Sequence, residues 1–302
     1  MANKNKRIRF LILESILLLL VIITIFIYFN LNKTNKTCYI NNYEMEMIQK
    51  ENILRQNKII IKSYSNIDNE INVTKETYFK KIKELEDKIL TGESDKKIAY
   101  LTFDDGPYYN TYKVLDILDK YNVKATFFTT SINGEYCYDN KSEYCLSLYQ
   151  EYLKRGHTIA NHTYTHGIFK GLYSSTEAFL YAVDMQHDHI YNQTNGYVAN
   201  ILRFPGGSPT AGSLKNSIIE GLRTRGYGWV DWSANDGDGG GLYTYEQAWY
   251  KLQSSIDQNI EVILFHDYNG ITTDLLPEFI EYLRNNGYIL LPLFYESNTI
   301  NK

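Results

Sequence analysis

A chain of 302 residues with 44% hydrophobic and 22% charged side chains is not wholly disordered, collagen-like or polytopic in a membrane. Three cysteines are too few for a disulfide-built fold, and 19 glycines with 5 prolines leave no room for a Gly/Pro scaffold. The net charge of -4 lacks the basic excess of a dedicated nucleic-acid binder, so no nucleic-acid partner is expected.

Residues 1–9 contain Lys4, Lys6, Arg7 and Arg9 and read as a cytoplasmic tail. From Phe10 to Phe29 the chain is almost purely apolar, interrupted by Glu14, Ser15 and Thr24. About twenty helical residues at ~1.5 Å each span ~30 Å, the thickness of a bilayer core. A cleaved signal peptide needs a shorter apolar core and a small-residue cleavage site, and Phe29-Asn30-Leu31-Asn32-Lys33 offers none. Residues 10–29 are therefore expected to be an uncleaved, single-pass signal anchor, with everything after them extracellular.

Residues 30–97, rich in Lys, Glu, Asn and Ile, read as a stalk and linker. Between Tyr78 and Leu90, Phe79, Ile82, Leu85 and Ile89 recur three or four apart and form one helical stripe. That helix either pairs in a coiled coil or stands as a solvated spacer. Thr91 to Lys97 is a polar linker.

From Ile98 the pattern changes to short apolar runs at Ile98–Phe103, Ala125–Thr129, His157–Asn161, Ile201–Phe204, Tyr227–Trp232, Val262–Phe265 and Tyr288–Pro292. Amphipathic segments alternate with them. Val114, Leu115, Ile117, Leu118 and Tyr121 mark one, Ser174 with Glu177 opens another, and Thr244 with Gln247 opens a third. The alternation predicts an α/β, barrel-like domain over 98–302 with a mainly parallel sheet.

The chemistry-bearing residues sit where these strands end, which in such barrels is the active-site face. Asp104-Asp105-Gly106-Pro107 is either an ordinary Asp-Gly turn or two acids facing one pocket. His162 and His166 are four apart, so on a helical turn they would share a face and bind one cation; two surface histidines are the alternative. With one Asp they make a two-His, one-carboxylate set that leaves positions for water and substrate. Arg203, ahead of Phe204-Pro205-Gly206-Gly207, could hold a carboxylate in bidentate fashion, and the glycines could present N–H groups to an oxyanion. His266, in Leu264-Phe265-His266-Asp267, is placed to act as a general acid. His157 reads as a packing residue, and His187 and His189 as surface. Tyr108, Tyr109, Trp232 and Tyr243 could stack on a ligand, or be ordinary surface or core aromatics. Cys137 and Cys145 either form a disulfide or stay free, with Cys38 left over.

Thr102-Phe103-Asp104-Asp105-Gly106, His162-Thr163-Tyr164-Thr165-His166, Arg203-Phe204-Pro205-Gly206-Gly207 and Leu264-Phe265-His266 resemble, in order, the motifs of the NodB-homology polysaccharide deacetylases, carbohydrate esterase family 4. The resemblance covers about residues 96–293. It implies a deformed (β/α)7 barrel and metal-dependent N-deacetylation of an N-acetylated polymer, peptidoglycan N-acetylglucosamine above all. By that resemblance Asp104 is the base, Asp105, His162 and His166 hold the metal (usually zinc), Arg203 tethers the base and His266 is the acid. Leu264 lines the acetyl pocket, and Gly206 supplies an oxyanion donor where a Tyr is commoner. The family's Asp-x-x-Asp-Trp motif is degenerate. Asn235-Asp236-Gly237-Asp238-Gly239 is its match, making Asp238 the partner of His266, with Asp231 as fallback.

Overall fold

Lys97–Asp104 forms β1, the spine of the sheet, and every residue after Lys97 is buried. Its side chains alternate between two faces, as a strand requires. Ala99, Leu101 and Phe103 pack outward in the cluster shared with the helices. Ile98 and Tyr100 join Phe128, Val230, Ile260 and Val262 inside the curl. The structure, a computed structural model, describes residues 75–131, 143–241, 244–295 and 297, all in one compact unit.

The other strands are β2 (Thr126–Thr129), β3 (Thr158–Asn161), β4 (Ile201–Leu202), β5 (Gly228–Trp229), β6 (Ala234–Asn235), β7 (Ile260–His266) and β8 (Tyr288–Leu291). They run parallel in the order β5-β4-β3-β2-β1-β7-β6. β8 pairs with Lys97–Tyr100 of β1 and β2 with Thr102–Asp104, while β7 lines the other edge. Among the described residues β5 and β6 are not paired, so the curled sheet stays open. All seven expected strands are present. Those expected at Ile201–Phe204 and Tyr227–Trp232 are shorter, because the chain leaves the sheet at Arg203 and Val230, and β6 was not foreseen.

The helices are α1 (Lys75–Leu90), α2 (Thr111–Lys120), α3 (Glu143–Lys154), α4 (Thr176–Gln193), α5 (Lys215–Thr224), α6 (Tyr245–Ser255) and α7 (Gly270–Asn285). Thr244 caps α6 as expected, its hydroxyl accepting the Gln247 N–H at 3.2 Å. The cap of α4 is Ser175 rather than Ser174. Ser174 ends a 3-10 turn, so the extended residue that a cap requires comes one position later.

The stalk expectation needs correction at α1. Ile82 and Ile89 are buried and Leu85 half-buried, and they belong to the same interior cluster as Ile98, Tyr100, Ile260, Leu291 and Leu293. These residues lie near the N-terminal ends of the strands and at the chain's exit from β8, so α1 closes the floor of the barrel. Glu86, on the same stripe, is fully buried and accepts a hydrogen bond from the Tyr100 hydroxyl. From Ile82 to Ile89 the apolar stripe is covered by the barrel itself, so this part of the helix is neither a solvated spacer nor half of a coiled coil, and the folded unit reaches back past residue 98.

Residues 1–74 lie outside the description, and with them the expected tail, anchor, outer stalk and Cys38. So do Tyr243 and Cys137, and hence the Cys137–Cys145 pairing. Among the described residues no helix is long and apolar enough to cross a membrane.

Candidate active site

Register brings the motifs level. Asp104 of β1 pairs with His266 of β7 and with Phe128 of β2, and Asn161 of β3 pairs with Leu202 of β4. The residues that follow, Asp105, His162 and Arg203, therefore emerge on one rim. At Asp105 the chain turns with φ 71. Gly106 keeps the turn roomy, since a Cβ there would lie a tight 3.0 Å from Asp267 Oδ2 and 3.2 Å from the Tyr152 hydroxyl.

Arg203 is fully buried and reaches across the interior from β4 to β1. Its Nη1 donates to Asp104 Oδ1 at 2.8 Å and to Thr102 Oγ1 at 2.7 Å. Nη2 donates to the Asp231 carbonyl at 3.0 Å and Nε to that of Val230 at 3.4 Å. The Phe128 ring lies beneath the guanidinium, 4.2 Å from its centroid, with Trp232 at 5.8 Å. Burial raises the Asp104 pKa, Arg203 opposes the rise, and the carboxyl stands at about 6.

Asp105 Oδ1 faces His162 Nε2 at 3.4 Å and His166 Nε2 at 3.5 Å. It is buried and has no hydrogen-bond partner, which is costly unless something positive sits there. His162 Nδ1 lies 2.8 Å from the Arg203 carbonyl, an acceptor, so Nδ1 carries the proton and Nε2 offers its lone pair. Burial, with His166 nearby, holds His162 well below the usual histidine range and hence neutral. Two imidazole nitrogens and an orphaned carboxylate oxygen, all within 4.8 Å of one another, fit a divalent ion. The convergence is not helical, as the i, i+4 spacing suggested. Thr163 (φ 65) and His166 (φ 47) are left-handed, and a loop brings the rings to 4.9 Å. Asn161 Oδ1 pins that loop by accepting the Thr163 N–H at 2.8 Å.

On the other side, His266 Nε2 lies 3.8 Å from Asp105 Oδ2. Its Nδ1 is 2.7 Å from Asp238 Oδ1, and its backbone N–H donates to Asp238 Oδ2 at 2.7 Å. Burial pulls the imidazole down, but the hydrogen bond and charge of Asp238, with Asp105 and Asp104, outweigh it and push it up to about 9. Asp236, fully buried, accepts the Asp238 N–H at 3.1 Å and the Thr272 hydroxyl at 2.7 Å. Burial and the neighbouring Asp238 charge raise Asp236 to about 7.

The remaining expected residues line the rim. Leu264 shares a face of β7 with His266 and is buried. Gly206 is exposed at φ 75. Trp232 packs on Gly207, where a Cβ would lie 3.1 Å from the ring. Tyr108 is buried and Tyr109 exposed. Asp231 does not reach His266; its carboxylate accepts the Ser208 N–H and hydroxyl at 2.8 and 2.7 Å, fixing the Gly206-Gly207 turn. His157 is a core residue accepting the Ala125 N–H at 3.1 Å. His187 and His189 are half-buried rather than surface: His187 meets the Tyr227 hydroxyl at 2.9 Å and His189 packs on Tyr149 and Tyr164. Asp236, Thr272 and the Asp231–Ser208 pair were missed; an acid two residues before Asp238 was the only sequence sign of the first.

Against this geometry, the polysaccharide deacetylase family pattern matches residues 91–224. A peptidoglycan-N-acetylglucosamine deacetylase of Bacillus cereus is 30% identical over 212 residues, covering 64% of this chain and 68% of that protein. A bifunctional xylanase/deacetylase of Pseudobutyrivibrio xylanivorans is 30% identical over 70% of this chain, which spans only 32% of that longer protein. The catalytic domain of a peptidoglycan N-acetylglucosamine deacetylase from Eubacterium rectale superposes with a TM-score of 0.61 at 33% identity, covering 68% of this chain and 93% of that one.

Proposed function

The chain belongs to the NodB-homology polysaccharide deacetylases of carbohydrate esterase family 4, and from that premise we propose that it is a metal-dependent hydrolase removing N-acetyl groups from N-acetylglucosamine of a cell-envelope polysaccharide, peptidoglycan first. The observation that carries this is the orphaned Asp105 Oδ1 facing both imidazoles, with Asp104 and His266 on either side.

Asp105, His162 and His166 would hold the ion, and a nitrogen-rich, single-carboxylate set suits zinc. Such an ion supplies Lewis-acid polarisation of the acetamide carbonyl and acidifies water. Asp104, ionised and held by Arg203, takes the proton of the attacking water. The Gly206 N–H faces the developing oxyanion, and Leu264 covers the acetyl methyl. His266, protonated and oriented by Asp238, gives its Nε2 proton to the departing amine, and acetate leaves. Trp232 lines the sugar's approach. The apolar run at 10–29 and its basic flank support a membrane-anchored enzyme with this domain outside the cell.

Acetate release should be measured on chitin oligomers, intact peptidoglycan and acetylated xylan, with chelator and with zinc restored. Release from N-acetylglucosamine polymers that stops on chelation and returns with zinc is expected. Asp104→Asn should abolish it while bound metal stays near the wild-type amount. Glycan binding without acetate release from any polymer would instead make the protein a binding module, and release confined to N-acetylmuramic acid or xylan would move the substrate.

A further inference from the structure

Tyr268 follows His266 in the turn from β7 into α7. Its ring centroid lies 5.3 Å from that of His266, the planes tilted by 37°. The buried Tyr108 ring supports it edge-on at 5.0 Å, and Asn110 Nδ2 donates to its carbonyl at 3.0 Å. The residue is nonetheless 40% exposed, so it is braced by Tyr108 while still reaching solvent. Burial, then Asp238, Asp105, Asp236 and Asp267, raise its phenol to about 12, so the hydroxyl stays neutral and near the site's acids.

Gly239 also abuts His266 and offers no such surface; even a Cβ there would lie 2.8 Å from His266 Cε1, so position 239 cannot carry a ring while His266 keeps its place. We propose that Tyr268 is the sugar-stacking residue of this site, placing its ring against the apolar face of the pyranose that presents the acetamide to His266. A pyranose's C–H groups suit the negative face of an aromatic ring, and a rigid, pre-braced ring contributes contact area at little entropic cost. This rests on the deacetylase reading.

The test compares wild type, Tyr268→Ala and Tyr268→Phe, metal-loaded, on penta-N-acetylchitopentaose and on p-nitrophenyl acetate, which has no sugar. Tyr268→Ala should raise KM for the pentamer about five- to tenfold. Its turnover of p-nitrophenyl acetate and its metal content should match wild type, and Tyr268→Phe should stay within about twofold on both substrates. Equal losses on the two substrates would overturn the proposal, because the damage would then lie in the metal and base machinery. Unchanged KM in Tyr268→Ala would overturn it too, and a fall in kcat on the pentamer with KM unchanged would mean that Tyr268 merely props His266. If Tyr268→Ala does not fold, Tyr268→Gln, bulky without a ring, is judged by the same outcomes. A wild type that releases no acetate from any glycan is the separate failure of the deacetylase reading, and pentamer binding by calorimetry to wild type and Tyr268→Ala then decides Tyr268: tighter binding by wild type supports stacking, equal binding overturns it.

Discussion

Asp104 Oδ1 and Arg203 Nη1 meet at 2.8 Å inside the barrel although 99 residues separate them in the chain. The pair links the base to four other anchors of the same guanidinium: Thr102, the carbonyls of Val230 and Asp231, and the Phe128 ring. Arg203→Ala would leave a buried carboxylate alone, a loss of about 3–5 kcal/mol. Arg203→Lys keeps the charge but not the planar fork, and should recover only part of it. Urea unfolding checks the stability. The acid limb of the activity profile should move to higher pH in Arg203→Ala, since the guanidinium that opposes Asp104's burial is gone.

The pH dependence of kcat/KM is expected to be a bell. Asp104 must be ionised to accept a proton, and its pKa is raised to about 6, so activity falls as pH drops through that value. His266 must be protonated, and its pKa is raised to about 9, so activity falls as pH rises through that value. A cation at Asp105, His162 and His166 favours the carboxylate and opposes the imidazolium, moving both limbs down. Limbs no higher than about 6 and about 9 are therefore expected, and a plateau running well past pH 9 would contradict the assignment of His266.

Asp238→Asn removes the charge that holds His266 up. The basic limb should fall from about 9 toward or below the ordinary histidine value of 6.5. Activity at pH 8 should drop by roughly 10–100-fold. Asp236→Asn is the contrasting variant. It swaps an amide for a carboxyl already raised to about 7, so its cost should be severalfold less, measured in the same pH titration.

Much of this arrangement was legible because its residues are local runs at strand ends: Asp104-Asp105, His162 to His166, Arg203 and His266 each follow an apolar segment whose pairing sets their level. What was not legible depends on backbone conformation or on contacts between distant segments. Four-residue spacing picked out two histidines that do converge but suggested a helix, because nothing in the composition of Thr163 to His166 announces two left-handed residues. Asp231 stood as a fallback for Asp238 because no sequence signal shows that Ser208 occupies it. α1 showed its stripe plainly, but a stripe does not say what covers it, and nothing in the run from Tyr78 to Leu90 pairs Glu86 with Tyr100, fourteen residues on.

Gly239→Ala should be more damaging than a one-carbon change suggests. The added Cβ would sit 2.8 Å from His266 Cε1 and within 3.6 Å of both ring nitrogens, so the imidazole would be pushed from Asp238 or from the Asp105 side. A displacement of this kind costs about 10–100-fold in kcat. Metal content, which does not depend on His266, should be unchanged by elemental analysis. For the same reason, Gly239→Trp should lose activity rather than gain it.

The floor of the barrel is a separate length of chain, tethered to β1 by residues 91–96 alone. Each of the two buried isoleucines it contributes, Ile82 and Ile89, is worth about 1.5–3 kcal/mol, out of the 5–15 kcal/mol that holds a typical domain together. A protease that cuts within 91–96 would therefore not liberate a working enzyme. It would pull the stopper from the barrel, exposing Ile98, Ile260 and Leu291 to water and undoing the fold.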